Sequence, residues 1–188
     1  MHVPAYKIHK QDGAYFLTLQ IVYWVDLFSR QRYRDIVVDS LNFCVKEKVL
    51  EIYYFVIMTN HLHMIARSSK ENLSAVIRDL KRHTSRHLVK SIFSEPESRR
   101  DWILKLFAHA ADSHERNENY QVWTHENHPE EIFSPEFTFQ RINYIHNNPV
   151  RAGIVENAED YLYSSARDYA GMKGVVIIEK LNLHLMKT

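Results

Sequence analysis

Residues 51–66 read EIYYFVIMTNHLHMIA. Two apolar runs, Glu51–Met58 and His61–Ala66, flank the polar dipeptide Thr59-Asn60, the pattern of two adjacent antiparallel strands joined by a tight connection. Strand alternation sends His61 and His63 to one face and Leu62 to the other, so two imidazoles converge while the residue between them anchors in a core. Upstream, Ala14–Val22 (AYFLTLQIV) follows an Asp12-Gly13 turn signal and is rich in aromatic and β-branched residues, which predicts a first strand. Between the strands, Ile36, Val37, Leu41 and Val45 recur at helical spacing from about Arg30 to Lys48.

Downstream, Ser68 and Glu71 match a capping box, and Leu73, Val76, Ile77, Leu80, Thr84 and Leu88 predict a helix to about Lys90. Pro96 opens a further helix carrying Trp102, Ile103, Leu106 and Phe107, broken by the polar run Asp112–Asn119. Gln121–Thr124 is expected to add a short strand. From Pro135, the pattern Phe137, Phe139, Ile142, Ile145 predicts a helix ending at Asn148, since the residue before Pro149 disfavours helical geometry. Val175–Ile178 is expected to form a late strand. The order predicts an α+β fold, a mainly antiparallel sheet covered by helices. Residues 1–188 are expected to form one domain, with a C-terminal extension from about residue 171.

The composition, 45% hydrophobic and 25% charged with four glycines and five prolines, belongs to a globular chain and argues against a disordered or fibrous one. The single cysteine, Cys44 between Phe43 and Val45, has no partner for an internal disulfide and suits a reducing compartment. No apolar run approaches the ~18 residues of a membrane span, and the first residues lack a signal-peptide core. A cytoplasmic protein with no membrane partner is expected. The net charge of +1 means that any nucleic-acid surface must arise from local segregation of charge.

Imidazole nitrogens combine readily with oxygen donors around divalent ions, so His61 and His63 with one carbonyl or carboxylate would suit Mg²⁺ or Mn²⁺. Alone, His-x-His is short and frequent, and it equally suits the solvated side of an edge strand. The segment 141–153, RINYIHNNPVRAG, places Tyr144 and Asn148 one helical turn apart. A phenol ionises near pH ~10 and is a weak nucleophile at neutrality unless a nearby cation activates it. Tyr144 is one of eleven tyrosines, and a half-buried structural tyrosine with Asn148 as a helix end explains the same spacing. On the capped helix, Arg78, Lys81, Arg82, Arg86 and Lys90 form a stripe able to follow phosphates. A solvated helix face explains that stripe too. Arg151 and the pair Arg99-Arg100 are lesser candidates for the same role.

Together, MTNHLHMI and YIHNNPVRAGIV, some 80 residues apart with a basic helix between them, resemble the two signature blocks of the single-tyrosine HUH transposases. The nearest group is that of the insertion-sequence and REP-associated tyrosine transposases, and the similarity runs from the first strand to about residue 170. The resemblance implies a ferredoxin-like or RRM-like antiparallel sheet with helices mainly on one face, and a Mg²⁺ or Mn²⁺ site made by His61, His63 and Asn148. It implies DNA transposition by transesterification. Tyr144 would attack a phosphodiester of single-stranded, hairpin-bearing DNA, keep the 5′ phosphate and release a 3′ hydroxyl that later rejoins the strand.

Two positions depart from the family pattern. Thr59 stands where Pro is common, and Asn148 stands where related enzymes often have the longer Gln. The family contains monomers acting in cis and homodimers acting in trans, and a homodimer is the expectation for this chain. The alternatives are a phosphodiesterase that uses water as nucleophile and a domesticated hairpin-binding protein that does not cut.

Overall fold

The computed structural model describes residues 7–112 and 119–181. Strand β1 (Tyr15–Gln20) leads through two short 3₁₀ turns into helix α1 (Gln31–Glu47), followed by β2 (Leu50–Ile57) and β3 (His61–Ser68). Helices α2 (Leu73–Ser94) and α3 (Arg100–Asp112), strand β4 (Glu130–Glu131), helix α4 (Pro135–His146) and the single turn α5 (Asn148–Arg151) complete the main elements. The sheet order is β2-β3-β1-β4 with every pairing antiparallel, the ferredoxin-like arrangement that the α+β expectation described.

Alternation on β1 and β3 produces two chemically different faces. Leu17, Leu19, Leu62 and Met64 are fully buried on one of them, the face left for α1 and α2, which pack together and against β2 and β3. The buried stripe of α2 is Leu73, Val76, Ile77, Leu80, Thr84, Leu88 and Ile92. Removing a buried aliphatic side chain of this size from water contributes ~1.5–3 kcal/mol, which is why this stripe decides the helix more than its cap does. The other face carries Phe16, Thr18 and Gln20 opposite Ile65, His63 and His61. A bulge between Ile52 and Tyr54 turns Tyr54 and Val56 to that same face.

Several local expectations are corrected by tertiary bonding. The Ser68–Glu71 capping box does not form. Ser68 ends β3 and donates from Oγ to Asn72 Oδ1 at 2.5 Å, Glu71 lies in the left-handed region at φ 52°, and Asn72 precedes the first helical turn. The helix proposed from Pro96 begins at Arg100 because Glu97 is turned inward. Its carboxylate accepts from Arg30 Nε at 2.8 Å, Tyr33 hydroxyl at 3.1 Å, Arg32 at 3.2 Å and the Arg99 backbone at 3.1 Å. Gln121–Thr124 makes only an isolated bridge between Ile21 and Trp123, and the fourth strand is Glu130–Glu131 instead. Val175–Ile178 is not a strand. Asn42 clasps it through both amide atoms, to Val175 O and from Ile177 N. The free edge of β2 is covered further along, where Ile57 N donates to Tyr163 O and Ser165 N to Phe55 O.

Cys44 is buried, and burial pushes its thiol up to about 11, so it remains protonated and serves as a small core group. Burial opposes ionisation of Glu97, but the Arg99 N–H, Arg30 and Tyr33 hold its carboxyl below the usual range. Glu97→Ala would leave three guanidinium groups without their shared acceptor, and should lower stability by about 2–4 kcal/mol in urea denaturation at neutral pH. A loss below about 0.5 kcal/mol, the size of an ordinary surface change, would show the cluster to be energetically idle.

Candidate active site

The β1–β3 register sets Thr18 directly opposite His63 and Gln20 opposite His61. Thr18 Oγ1 lies 2.9 Å from His63 Nδ1. Asn60, in the turn before β3, lies 2.6 Å from His61 Nδ1 through its Oδ1 and donates from Nδ2 to the Trp24 carbonyl at 3.3 Å. With its NH₂ directed at Trp24, Asn60 presents an oxygen to His61, which selects the tautomer with hydrogen on Nδ1 and a bare lone pair on Nε2. His61 Nε2 is buried and has no hydrogen-bond partner among the described residues. The two imidazoles lie edge to face with centroids 4.5 Å apart.

Both histidines are held neutral. Burial lowers His61 to about 4. Burial, then His61 and the cations of Arg141 and Arg151, lower His63 to about 3. Neutral imidazoles with Nδ1 tied to oxygen partners form the donor set that divalent ions require, and the partners hold the rings in place. Among the described residues no group of three or more His, Cys, Asp or Glu is placed to hold a metal ion, so any third protein donor here comes from another residue type.

Helix α4 crosses this face. Ser134 caps it by accepting from Phe137 N at 3.2 Å, Pro135 occupies the first turn, and Ile142 and Ile145 are buried beneath it. The flank then presents Tyr144, whose ring meets His63 edge-on at 5.1 Å and Phe16 at 6.1 Å. Phe16 in turn stacks on His63 at 5.3 Å. The Arg151 guanidinium covers the Tyr144 ring at 4.5 Å. Arg141 lies between Phe16 at 4.9 Å and Phe137 at 4.8 Å and pairs with Glu130 of β4.

Asn148 follows a break in the helix. α4 ends at His146, Asn147 has ψ 0°, and Asn148 opens α5 with Pro149 behind it. It is half-buried, and its side chain makes no hydrogen bond among the described residues. The structure therefore brings Tyr144, His61 and His63 together, while Asn148 lies one turn beyond the tyrosine without bonding to either histidine.

The basic stripe divides. Arg82, Arg86 and Lys90 line a cleft of about 760 Å³ between α2 and residues 119–125. Arg78 stands outside it and pairs with Asp79 at 3.3 Å. Lys81 is turned into the protein, where its ammonium donates to Thr124 O at 2.6 Å, Asn127 Oδ1 at 2.7 Å and His125 O at 3.3 Å. Burial lowers it to about 8, which leaves it charged at neutrality with three oxygens around it. Arg99 bonds Glu97 and Asp26, and Arg100 bonds the carbonyls of Ile92 and Glu95, so both staple the α2–α3 connection.

Phe16, Thr18, Asn60 and Arg141 did not emerge from sequence reading. Asn60 had a signal, its place beside His61. Thr18 had none until the strand register was known.

No family model matches the chain, and no curated protein matches it in sequence. The sheet order and the crossing helix define a ferredoxin-like α+β class carrying a histidine pair opposite a helix-borne tyrosine. Among solved structures, the chain is similar to a REP-associated tyrosine transposase bound to a REP hairpin, with a TM-score of 0.58 and 17% identity over 95% of this chain and 93% of that one. The likeness is one of fold. No helix among the described residues is long and apolar enough to cross a membrane.

Two measurements follow from the geometry. Were His61 and His63 to hold a divalent ion, Asn60→Ala would weaken Mn²⁺ binding by ~10–100-fold, the usual effect of losing the group that orients a ligating histidine. Calorimetric titration would reveal it, and unchanged affinity would show that Asn60 does not prepare His61 for a metal ion. In metal-free buffer, the unfolded chain takes up protons on His61 and His63 below pH ~6.5 that the folded chain refuses until about 4 and about 3. Stability should therefore rise as pH increases from ~5 to ~7. A flat urea midpoint across that window would mean that the folded imidazoles titrate as they do in the unfolded chain.

Proposed function

We propose that this chain is a metal-dependent single-strand DNA nicking and joining enzyme of the tyrosine transposase type, acting in DNA transposition. The observation that carries the reading is the placement of the Tyr144 ring 5.1 Å from that of His63 within one chain, with the ring of His61, whose buried Nε2 has no partner among the described residues, 4.5 Å from His63. A structural tyrosine needs no neutral histidine pair beside it. The contact favours action in cis, so a homodimer is not required for chemistry.

In this reading His61, His63 and Asn148 would hold Mg²⁺ or Mn²⁺. When bound, the ion supplies Lewis acidity at the scissile phosphate. Thr18 and Asn60 keep the imidazole rings oriented. Tyr144 Oη attacks phosphorus, a P–O bond to tyrosine forms, and the bond from phosphorus to O3′ breaks. The phenolic proton is lost and a proton ends on the departing 3′ oxygen, giving a 5′-phosphotyrosine and a free 3′ hydroxyl. Attack by a 3′ hydroxyl on the phosphotyrosine reverses these changes, so ATP is not consumed.

Arg151, whose guanidinium lies 4.5 Å over the tyrosine ring, would meet a phosphate there. Arg82, Arg86 and Lys90 would carry the strand, or the hairpin attached to it, along the cleft through sequence-independent contacts. The fold shared with a hairpin-bound transposase supports the choice of DNA as partner.

Incubation with Mn²⁺ and labelled hairpin-bearing single strands from the flanks of its own gene tests the proposal. A denaturation-resistant protein–DNA adduct is expected, abolished in Tyr144→Phe while DNA binding persists. Full-rate cleavage by Tyr144→Phe would replace this mechanism with hydrolysis by water, and binding without any cleavage would leave a hairpin-binding protein. Charge removal at Arg82, Arg86 and Lys90 should reduce the salt dependence of binding by about one unit of log–log slope per residue that meets a phosphate.

A further inference from the structure

The segment after β1 is strained in a way that the proposed chemistry does not use. Tyr23 and Trp24 both lie in the left-handed region, with φ 54° and 57°. For bulky L-residues each such conformation costs roughly 1–3 kcal/mol and persists only where surrounding bonds impose it. Those bonds are present. Val22 N donates to Val122 O at 2.9 Å, Trp24 N to Ile21 O at 3.2 Å and Val25 N to Val22 O at 3.3 Å. Asn60 Nδ2 holds the Trp24 carbonyl.

Burial does not account for these side chains. Ile21, Val22, Val25 and Leu27 are buried on either side, whereas Tyr23 is 49% and Trp24 66% exposed. Asparagine or glycine would suit the same backbone at lower cost. The turn therefore uses strain to display two flat rings. Tyr23 is backed by His109, stacked at 6.0 Å and 21°. Trp24 stacks on no other aromatic ring among the described residues.

The rings form one wall of a cleft of about 550 Å³ whose polar groups include Gln20, Gln121, Thr124 and His125. Glu126, beside His128 at 3.6 Å, is its acidic member. Gln121, Thr124 and His125 also line the larger cleft that carries Arg82, Arg86 and Lys90. One groove thus runs from three cations to an exposed indole. At the indole end, Asn60 touches both the Trp24 carbonyl and His61, and Gln20 pairs across the sheet with His61.

We infer that Tyr23 and Trp24 form a stacking site for an unpaired base of single-stranded DNA held next to the histidine pair. The inference rests on the single-strand reading above and adds the subsite that grips the strand. Cations along a groove meet phosphates, and an exposed aromatic face meets a base, which a duplex keeps inside its stack. Beyond the ring the lining is largely polar, with Gln20 and Thr124 among it.

The test uses the full chain carrying Tyr144→Phe, so that binding is read without turnover. Its ligands are a fluorescein-labelled single strand from the flanks of its gene and the matching duplex. Stacking of one base is worth ~1–3 kcal/mol, so Trp24→Ala should weaken single-strand binding by ~5–150-fold and duplex binding by less than ~2-fold. Trp24→Phe should recover most of the affinity. Trp24→Asn should bind as poorly as Trp24→Ala yet melt at a higher temperature, because asparagine relieves the left-handed strain. A purely structural tryptophan would lose stability and affinity together, and that result overturns the inference. So does single-strand affinity within ~2-fold of the parent in Trp24→Ala. If the Tyr144-bearing chain forms its adduct with Mn²⁺ while Trp24→Ala binds normally, only the stacking site fails. If no adduct forms and neither protein binds single strands, the parent reading fails with it.

Discussion

The pairing of β1 with β3 is the constraint on which the site depends. Thr18 opposite His63 and Gln20 opposite His61 are consequences of one register, and a slip of one residue would send every one of these side chains to the other face. The apolar alternation prevents that slip. Leu17, Leu19, Leu62 and Met64 are all fully buried, so a shifted register would place leucines under α4 and a threonine and a histidine into the α1–α2 core. The packing energy of the far face thus holds the polar geometry of the near one. The Ile21 N to Asn60 O bond, 2.9 Å, extends the same ladder into the turn, and this is how Asn60 reaches both His61 and Trp24.

The near face needs a cover that buries the histidines without saturating them. Helix α4 supplies it with an uneven surface. Ile142 and Ile145 are buried against the sheet, and the adjoining flank sets Tyr144 beside His63 and His146 beside Tyr54. His146 is lowered to about 4 by burial and is satisfied by Ser165 Oγ at 2.9 Å. His61 is equally lowered, yet its Nε2 has no partner among the described residues. The contrast distinguishes a buried histidine whose Nε2 is satisfied by a buried hydroxyl from one whose Nε2 lone pair is left without a partner among the described residues.

Much of the scaffold was legible because it follows local periodicity. The α2 stripe from Leu73 to Leu88 appears in the sequence at the spacing the helix uses, and the His61–His63 alternation correctly placed both rings on one face of β3. What was not legible depends on bonds between distant segments. Residues 119–127 have little regular structure and are held by Lys81, by Trp123 Nε1 donating to Thr84 Oγ1 at 2.9 Å, and by Thr124 N donating to Gln20 O at 2.8 Å. Lys81 belongs to a basic stripe by sequence, and only the fold shows its ammonium facing inward. The Ser68–Glu71 pattern failed for a related reason: the chain leaving β3 passes through a left-handed Glu71, which displaces the helix start to Leu73.

Several departures from ordinary stability rules meet at one end of the sheet, although left-handed residues also occur at Val49, Glu71 and His128. A partnerless buried nitrogen on His61, a neutral His63 among cations, and two left-handed aromatics at Tyr23 and Trp24 all lie where β1 ends and β3 begins. Each is unfavourable for folding, and Asn60 bonds to the strained turn and to the orphaned histidine. On the opposite face the buried strand positions are occupied by leucine and methionine, and the left-handed residues on that side, Val49 and Glu71, lie in the connections into β2 and α2. Sequences generally agree with their folds at every level except where function demands otherwise. Folding is served by the α1–α2 face, and the unfavourable features of the other face are explained together by a strand of DNA that would stack on the turn and present its phosphate to the imidazoles and Tyr144.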